Sequence, residues 1–287
     1  EIMSSDWSSD VCSSDLLCTE WDDAAGGLGA EMIRVTPPGP GWKALSDAVH
    51  DVYRGHGGFD LLFGLTQICP QDVHRLGGGV YRYWFRRKYG AAFPLVRALP
   101  RVRRRLAFER RLYAPGNLRH AIAISEMDRR LLQEYYTFPA ERIHRVYNGI
   151  DMDNFHARDR AEARKRLCAR HEISPDSRIV LFAANNDARK GLAEAVEALC
   201  RAKRPGAYTL VVIGRGRRRI RSRLARRARG RVAVRWCDAV SSPADYYRGA
   251  DLMLFPTHYD SFANVIGEAL CCGLPVITTA QAGGAEM

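Results

Sequence analysis

The sequence predicts an α/β fold in which helices cover both faces of a parallel, doubly wound sheet. In the second half of the chain, short apolar runs alternate with amphipathic segments of helical length. The apolar runs are rich in Val, Ile and Leu, as expected for strands that are buried on both faces. Sheets of this kind bind their ligands at the carboxyl ends of the strands. The loops that follow the strands are therefore the candidate functional segments.

Each element of the second half can be assigned from its periodicity. Strands are predicted at residues 179–183, 208–213, 232–236, 252–255 and 275–279. Helices are predicted at residues 191–202, 220–228, 244–249 and 262–272. The core face of the last helix is predicted to comprise Phe262, Val265, Ile266, Ala269 and Leu270. The candidate ligand loops are then residues 184–191, 214–217, 256–262 and 280–284.

The first half of the chain gives fewer signals. Apolar runs predict strands at residues 59–65, 119–124 and 142–147, the first of them buried. Ser125 is a predicted N-cap, with Asp128 at the capping-box position of a helix that runs through Tyr135. Phe138-Pro139 should end that helix, because the residue before a proline avoids the α conformation.

Length and composition indicate a globular protein of about two domains. The chain has 287 residues, of which 46% are hydrophobic and 26% charged. No apolar run approaches the ~20 residues that a membrane-spanning helix needs. The eight cysteines lack zinc-site spacing, so they are predicted to be reduced thiols rather than disulfides or metal ligands.

The formal net charge of +12 indicates a polyanionic partner or an anionic membrane surface. Arginine is concentrated in residues 101–105 and 215–231. Aromatic residues do not interleave with these arginines, so stacking on single-stranded bases is not indicated. A solvated helix face and attraction to anionic lipid head groups or phosphorylated polysaccharide both remain open.

Both ends of the sequence have unusual features. Ser4-Ser5-Asp6, Ser8-Ser9-Asp10 and Ser13-Ser14-Asp15 repeat one phrase that resembles a translated sequencing adapter. Residues 1–15 are therefore interpreted as an artefact, not as a signal peptide. The sequence ends at Met287, in a loop after a predicted strand. We expect a chain that is clipped at both ends.

Two carboxylates accompany the predicted helix at 262–272. Asp260 precedes its N-terminus, and Glu268 shares a face with Asn264. Helix N-termini attract anions such as phosphate, whereas carboxylates accept hydrogen bonds from sugar hydroxyls. The spacing alone favours a capping Asp and a solvated Glu.

Residues 259–279, YDSFANVIGEALCCGLPVITT, resemble the signature of glycosyltransferase family 4, in which seven positions separate two acidic residues. The resemblance implies the GT-B fold, with two facing Rossmann-like domains and a nucleotide-sugar donor. It assigns Glu268 to the nucleotide ribose and Asp260 to the donor sugar, although the family more often has Glu at the first position. The implied donor-binding segment comprises Ser261, Phe262, Ala263, Asn264 and Val265, of which the backbone amides from about Ala263 to Val265 would hold the diphosphate.

Two further loops fit the same family pattern. Arg189 and Lys190 form a cation pair that could simply be solvent-exposed, but the resemblance implies binding of the donor diphosphate. Fixed cations stabilise the charge that grows on a departing diphosphate, and no metal is then required. Gly214 and Gly216 would let the backbone approach the nucleotide. Arg219 occupies the third glycine position of a dinucleotide fingerprint, which argues against hydride chemistry.

Two other segments resemble parts of the family, and a third matches a motif of a different fold. Gly283 and Gly284 resemble a loop that touches the donor sugar. Residues 72–80, DVHRLGGGV, resemble a segment of lipopolysaccharide-core glucosyltransferases. Asp72 and His74 there could face the acceptor or belong to a structural loop. Asp151-Met152-Asp153 matches the DxD metal motif of a different glycosyltransferase fold, and we interpret that match as coincidence.

Taken with these motifs, the resemblance implies a metal-independent, retaining hexosyltransferase without a cofactor. Its donor would be a UDP-hexose, and its acceptor a lipopolysaccharide core or another lipid-linked glycan. The protein would be cytoplasmic and peripheral on the inner membrane face. An acceptor domain is expected at residues 16–155 and a donor domain at 156–287, both incomplete, so that the chain would bind donor without transferring it.

Two alternatives remain open. A UDP-sugar 2-epimerase shares the architecture and needs a histidine and carboxylates around the sugar, and His258 could supply that histidine. The net charge alone would also fit a nucleic-acid-binding protein.

Overall fold

The computed structural model of the protein describes residues 15–18, 31–57, 59–185 and 188–287. The chain forms two compact units. The first runs to Arg75 and includes Leu95–Ala121; the second comprises Leu76–Pro94 and Ile122–Met287. The predicted domain division at residue 155 stays a prediction, since compactness groups residues 76–94 and 122–155 with the C-terminal part. The Ser/Asp repeat at 1–14 lies outside the described residues, and Asp15 begins the first strand.

The elements of the N-terminal half follow one another in the order β1 (Asp15–Cys18), β2 (Glu31–Arg34), α1 (Trp42–His56), β3 (Phe63–Gly64), β4 (Gln71–Arg75), α2 (Tyr81–Tyr89), α3 (Phe93–Val96), α4 (Pro100–Leu112), β5 (Leu118–Ala123), α5 (Glu126–Tyr136) and β6 (Ile143–Arg145). Strands β1 and β2 pair in parallel. A four-stranded sheet has the order β3, β4, β5, β6.

The sequence predictions for this half are confirmed in part. Strand β5 and helix α5 lie where expected, and Ser125 Oγ accepts the Asp128 N–H at 3.1 Å. The strand predicted at 59–65 is wrong in length, because only Phe63 and Gly64 pair, and wrong in burial. Leu62 is buried, whereas its neighbours Leu61 and Phe63 are 54% and 45% exposed. Apart from Asp60 the run has no polar side chain, so its composition hid this period of two.

The C-terminal half contains α6 (Arg160–His171), β7 (Arg178–Ala183), α7 (Leu192–Cys200), β8 (Tyr208–Ile213), α8 (Arg218–Ala228), β9 (Ala233–Trp236), α9 (Ala244–Gly249), β10 (Leu252–Phe255), α10 (Asn264–Cys271) and β11 (Val276–Thr278). Its five strands are parallel, in the order β11, β10, β7, β8, β9. The chain starts at the centre with β7, moves outward to β9 and returns on the other side with β10. The predicted parallel, doubly wound sheet is confirmed.

Both faces of this sheet are covered by helices. Alternate residues of β7 point to opposite faces, so that Leu181 packs with α6, α9 and α10, whereas Phe182 packs with α7 and α8. Helix α10 begins two residues later than predicted, because Ala263 has a left-handed backbone (φ 67°). Leu270 was predicted to be in the core but is 42% exposed. In the described part of the chain, no helix is both long and apolar enough to span a membrane.

Candidate functional site

The strand order reverses between β7 and β10, which places a crevice at the carboxyl ends of these two neighbours. The loops that follow them touch each other. Gly191 has φ +82°, and a Cβ at this position would lie 2.0 Å from the carbonyl oxygen of Pro256. Only glycine tolerates both that backbone conformation and that close approach. The two loops are therefore held side by side at the point where ligands of such sheets bind.

An ion pair joins the two loops. Lys190 Nζ pairs with Asp260 Oδ2, and the two side chains are only 13% and 14% exposed. The Lys190 ammonium also lies 5.6 Å from the centroid of the Phe255 ring. Burial lowers the pKa of Lys190; the charge of Asp260 opposes this shift, and that of Arg189 adds to it. The predicted cation pair thus lies at the switch point, where Arg189 also accepts hydrogen bonds on its main-chain oxygen from the His258 N–H and Thr257 Oγ1.

Asp260 is the centre of the second loop. Its Oδ1 accepts the Ala263 N–H at 3.1 Å, ahead of the first turn of α10. Its own N–H donates to Gln281 O at 2.9 Å. The main-chain N–H of Ala263, which was predicted to hold phosphate, thus has a carboxylate partner. Asn264 and Val265 begin the helix, and the N–H groups of a first turn have no partner within the helix.

Glu268 lies one turn further along α10. Its Oε2 accepts a 2.6 Å hydrogen bond from Tyr247 on α9. Asn264, four residues earlier, accepts a 2.6 Å hydrogen bond from the side chain of Asn148. Glu268 is half-buried. The interpretation of Glu268 as a merely solvated residue is therefore wrong, because a buried tyrosine orients its carboxylate.

The predicted glycines support the site through their backbones. Gly283 and Gly284 donate their N–H groups to the carbonyl oxygens of Asp260 and Phe262, at 2.8 and 2.6 Å. A Cβ at Gly283 would lie 1.9 Å from Ser261 O. These N–H groups therefore fix the loop that carries Asp260. That loop includes Ser261 and Phe262, which are both buried.

Gly214 plays a similar part after β8. It has φ +107°, and a Cβ would lie 2.3 Å from Ala184 O. Arg221 donates a 2.6 Å hydrogen bond to its carbonyl oxygen. Gly216 is exposed two residues further on. The loop after β8 thus approaches the loop after β7 at the same edge of the sheet.

The two acceptor-side candidates belong to the first compact unit and make internal contacts. Asp72 accepts the Leu62 N–H at 2.9 Å and pairs with Arg119 at 3.1 Å. His74 is 2% exposed, and its Nδ1 lies 3.2 Å from Gly64 O. Burial lowers the pKa of His74 to about 4. These contacts favour the structural interpretation of this segment.

Three other candidates also have local explanations. Asp151 accepts the main-chain N–H groups of Asp153 and Asn154 at 3.1 and 3.2 Å, which makes the DxD match part of a turn. His258 Nε2 lies 3.0 Å from Glu194 Oε1. Among the described residues, no group of three His, Cys, Asp or Glu side chains could hold a metal ion. The cysteines whose side chains are described are free thiols.

Sequence reasoning missed the residues that contact the two acids. Tyr247 is 1% exposed on α9 and bonds to Glu268, 21 residues away. Gln281 accepts the main-chain N–H of Asp260 and a hydrogen bond from Tyr83. A buried tyrosine usually finds a partner for its hydroxyl, so Tyr247 carried a signal, but the partner could not be read from the sequence.

Comparison with protein families gives two matches along the chain. Residues 56–154 match the model described as Glycosyltransferase Family 4, and residues 177–287 match the model described as Glycosyl transferases group 1. The second match contains the whole charged site.

Curated relatives point the same way. The lipopolysaccharide glucosyltransferase WaaG of Escherichia coli is 26% identical over 229 residues, which cover 79% of this chain and 60% of that protein. A D-inositol 3-phosphate glycosyltransferase of Xylanimonas cellulosilytica is 34% identical over 164 residues, 53% of this chain and 38% of that enzyme. The chain thus spans less than two thirds of these relatives.

Solved structures establish the fold. A crystal structure of WaaG, described as a glycosyltransferase involved in lipopolysaccharide biosynthesis, matches with a TM-score of 0.77 and 23% identity over 90% of this chain and 70% of that chain. Anabaena HepE in complex with UDP and glucose matches with a TM-score of 0.65 and 17% identity, covering 92% and 71% of the two chains.

The parallel sheets flanked by helices, with ligand loops at the switch point, define an α/β protein of the GT-B fold, as the sequence predicted. The chain is built from domains of glycosyltransferase family 4 and glycosyl transferases group 1, and the predicted family is confirmed.

Proposed function

We propose that the whole protein is a retaining hexosyltransferase that moves glucose from UDP-glucose to a lipopolysaccharide-core or other lipid-linked acceptor. One observation carries the proposal: at the carboxyl ends of β7 and β10, Lys190 of the Arg189-Lys190 pair forms an ion pair with Asp260, and Glu268 lies on the helix that follows Asp260. The similarity to WaaG supports the choice of sugar and of acceptor class.

Each part of the site has a role in holding the donor. Glu268, oriented by Tyr247, accepts hydrogen bonds from the ribose hydroxyls. The first turn of α10 and the two cations face the diphosphate, since a helix N-terminus carries partial positive charge. Asp260 accepts from a sugar hydroxyl. Gly214 and Gly216 let the nucleotide approach the backbone after β8.

Transfer breaks the bond between the anomeric carbon and the diphosphate oxygen. Negative charge then grows on the leaving diphosphate, and Arg189 and Lys190 stabilise this charge more in the transition state than in the bound donor. The acceptor hydroxyl bonds to the anomeric carbon on the face that the diphosphate leaves, and its proton passes to the diphosphate. Retention then needs neither a covalent enzyme intermediate nor a metal ion.

Donor binding to the chain tests the site. Isothermal titration with UDP-glucose should show binding to the wild type, unaffected by EDTA. Arg189→Ala and Glu268→Ala should each weaken binding about tenfold or more, since each removes a charged partner. Arg201→Ala is the matched control, because Arg201 is exposed and pairs only with Glu197 among the contacts described for it. Wild-type affinity in both site variants would show that the assignment is wrong.

Product analysis separates transfer from epimerisation. Incubation of the whole protein with UDP-glucose and a truncated lipopolysaccharide core should give a glucosylated core and UDP. Conversion of UDP-glucose to its 2-epimer without acceptor would instead support the epimerase alternative. The pairing of His258 with Glu194 does not favour that alternative.

The proposal includes attachment to the inner face of the cytoplasmic membrane through residues 95–104. Leu95 and Leu99 are 79% and 54% exposed, and the exposed arginines near them are Arg97, Arg101, Arg103 and Arg104. Exposed apolar side chains flanked by arginine suit an anionic lipid surface. Arg105 is the exception within the predicted basic run, since it is buried and lies 3.8 Å from the centroid of the Trp42 ring.

Vesicle sedimentation tests this attachment. The protein should pellet with phosphatidylglycerol-containing vesicles and not with pure phosphatidylcholine. The double variant Leu95→Ser, Leu99→Ser should lose this binding. Leu65→Ser, which changes another exposed leucine, should keep it. Equal sedimentation of both variants would exclude the 95–104 surface.

A further inference from the structure

Tyr259 is a buried side chain that the donor chemistry does not use. It is 1% exposed and directly precedes Asp260. Its hydroxyl accepts the main-chain N–H of Val80 at 2.9 Å and lies 3.3 Å from Asp128 Oδ1, to which it donates. One hydroxyl therefore joins three segments that are far apart in sequence and lie in the same compact unit.

The acceptor of this bond is itself fully buried. Asp128 is 0% exposed in the first turn of α5, where its N–H donates to Ser125 Oγ. Burial raises the pKa of the Asp128 carboxyl well above its usual range, and the hydrogen bonds from Tyr259 and Ser261 oppose that shift. The charges of Asp260 and Glu286 raise it further. A buried carboxyl of this kind depends on its hydrogen-bond partners.

The surroundings leave the Tyr259 hydroxyl little freedom. Gly79 has φ +67°, and a Cβ there would lie 2.0 Å from the Tyr259 oxygen and 2.2 Å from Ser261 Oγ. The ring of Trp84 stacks on that of Tyr259 at 6.1 Å and 18°, and the ring of Tyr83 meets it edge-on at 5.3 Å. The ring and the hydroxyl are thus both fixed by packing.

Asp260 directly follows this anchor in the chain. Its carboxylate bonds to Lys190 and to the Ala263 N–H, and both of these partners sit in loops. Tyr259 links the same loop to helix α5 through Asp128 and to the start of α2 through Val80. Removing the hydroxyl would leave a buried carboxyl and a buried N–H without this partner, and the loop would have to shift to satisfy them.

We propose that Tyr259, held between the Val80 N–H and the Asp128 carboxyl, is a positioning residue that aims Asp260 at the donor sugar. The inference rests on the proposed function, because it takes the sugar to be the ligand of Asp260. It predicts a specific pattern: loss of the anchor weakens binding of the sugar part of the donor and spares the nucleotide part.

The test compares UDP-glucose with UDP as ligands of the chain in isothermal titration. Tyr259→Phe keeps the ring and removes both hydrogen bonds. It should lower the affinity for UDP-glucose about tenfold and change the affinity for UDP by no more than about twofold. Tyr246→Phe is the matched control: it removes a buried tyrosine hydroxyl that bonds to His171 at 3.0 Å, and it should change neither affinity.

Asp128 gives an independent pair of variants. Asp128→Asn keeps an oxygen that can accept from Tyr259, so it should bind UDP-glucose within about threefold of the wild type. Asp128→Leu removes the acceptor and should reproduce the loss of about tenfold seen with Tyr259→Phe. Circular dichroism establishes that each variant is folded.

Wild-type affinity for UDP-glucose in Tyr259→Phe and Asp128→Leu would overturn the positioning role and leave the proposed function standing. An equal fall in the affinities for UDP-glucose and UDP would also overturn it, because a general disruption of the site does not discriminate between the two ligands. Absence of UDP and UDP-glucose binding by the wild type would overturn the proposed function and the positioning role together.

Discussion

The hydroxyl of Tyr247 donates a 2.6 Å hydrogen bond to Oε2 of Glu268. Burial, with the charge of Glu268 adding to it, raises the pKa of Tyr247 well above its usual range, so the phenol stays a neutral donor. The ring is held edge-on against Phe155 at 5.8 Å. The hydrogen bond from Tyr247 therefore fixes one oxygen of the Glu268 carboxylate.

Tyr247→Phe should weaken UDP binding. The variant keeps the packing but removes the group that orients Glu268, so Glu268 should lose its hydrogen bond to the ribose. A hydrogen bond to a charged group contributes about 1.5–3 kcal/mol, or about tenfold to a hundredfold in affinity. Titration with UDP measures the effect. Tyr246→Phe, a change at the neighbouring residue, serves as the control. A UDP affinity equal to that of the wild type would mean that Tyr247 is only a packing residue.

Gly283→Ala should abolish donor binding and destabilise the protein. The added Cβ would lie 1.9 Å from Ser261 O and 2.5 Å from Ser125 Cβ, so the 260–262 loop must move. Overpacking of this kind costs about 1–3 kcal/mol, and more where backbone must shift. Gly149→Ala is the control, because a Cβ there meets nothing within 4 Å. Thermal unfolding and UDP-glucose titration of the two variants should differ sharply; similar behaviour would contradict the packing argument.

The elements that depend on residues close in sequence were predicted correctly. The apolar runs fixed β7, β8 and β10, and Ser125 marked the start of α5, because strand burial and capping depend on residues close in sequence. The meeting of Lys190 with the 260 loop followed from the parallel sheet, whose strand ends share one edge.

The remaining contacts depend on tertiary packing. Tyr259 and Asp128 are 131 residues apart, and nothing in either segment specifies the other. Leu270 matches the helical period of the core face but is 42% exposed, whereas Ile266 and Ala269 on the same helix are buried in the core. The 59–65 run was predicted as buried because every residue of its central part is apolar, which conceals the alternation between its two faces.

His74 should make the first compact unit sensitive to acid. Its pKa is lowered from 6.5 to about 4 by burial, and the charges of Arg105 and Arg75 add to the shift. The unfolded chain therefore takes up a proton at a higher pH than the folded chain. The contribution of neutral His74 to the free energy of unfolding is fully present above pH 6.5. It is lost as the pH falls from 6.5 to 4, and the total loss is about 3 kcal/mol.

Denaturant unfolding at a series of pH values measures this loss. His74→Asn can keep a donor to Gly64 O but cannot take up a proton, so its free energy of unfolding should change less between pH 6.5 and 4 than that of the wild type. His144→Asn, at an exposed histidine, should follow the wild type. Parallel curves for the wild type and His74→Asn would show that His74 does not titrate in this range.

Asp260→Asn should strengthen the binding of UDP. Lys190 is paired with Asp260 in a site where both side chains are largely buried, so the carboxylate competes with a diphosphate for the same ammonium. Asparagine can still accept the Ala263 N–H that caps α10, but it carries no charge. We expect UDP to bind about three- to tenfold more tightly, equivalent to roughly 0.7–1.4 kcal/mol. Asp153→Asn, at an exposed turn residue, removes the same formal charge and should leave UDP affinity unchanged. Weaker UDP binding by Asp260→Asn would mean that the ion pair holds Lys190 in place for the diphosphate and does not compete with it.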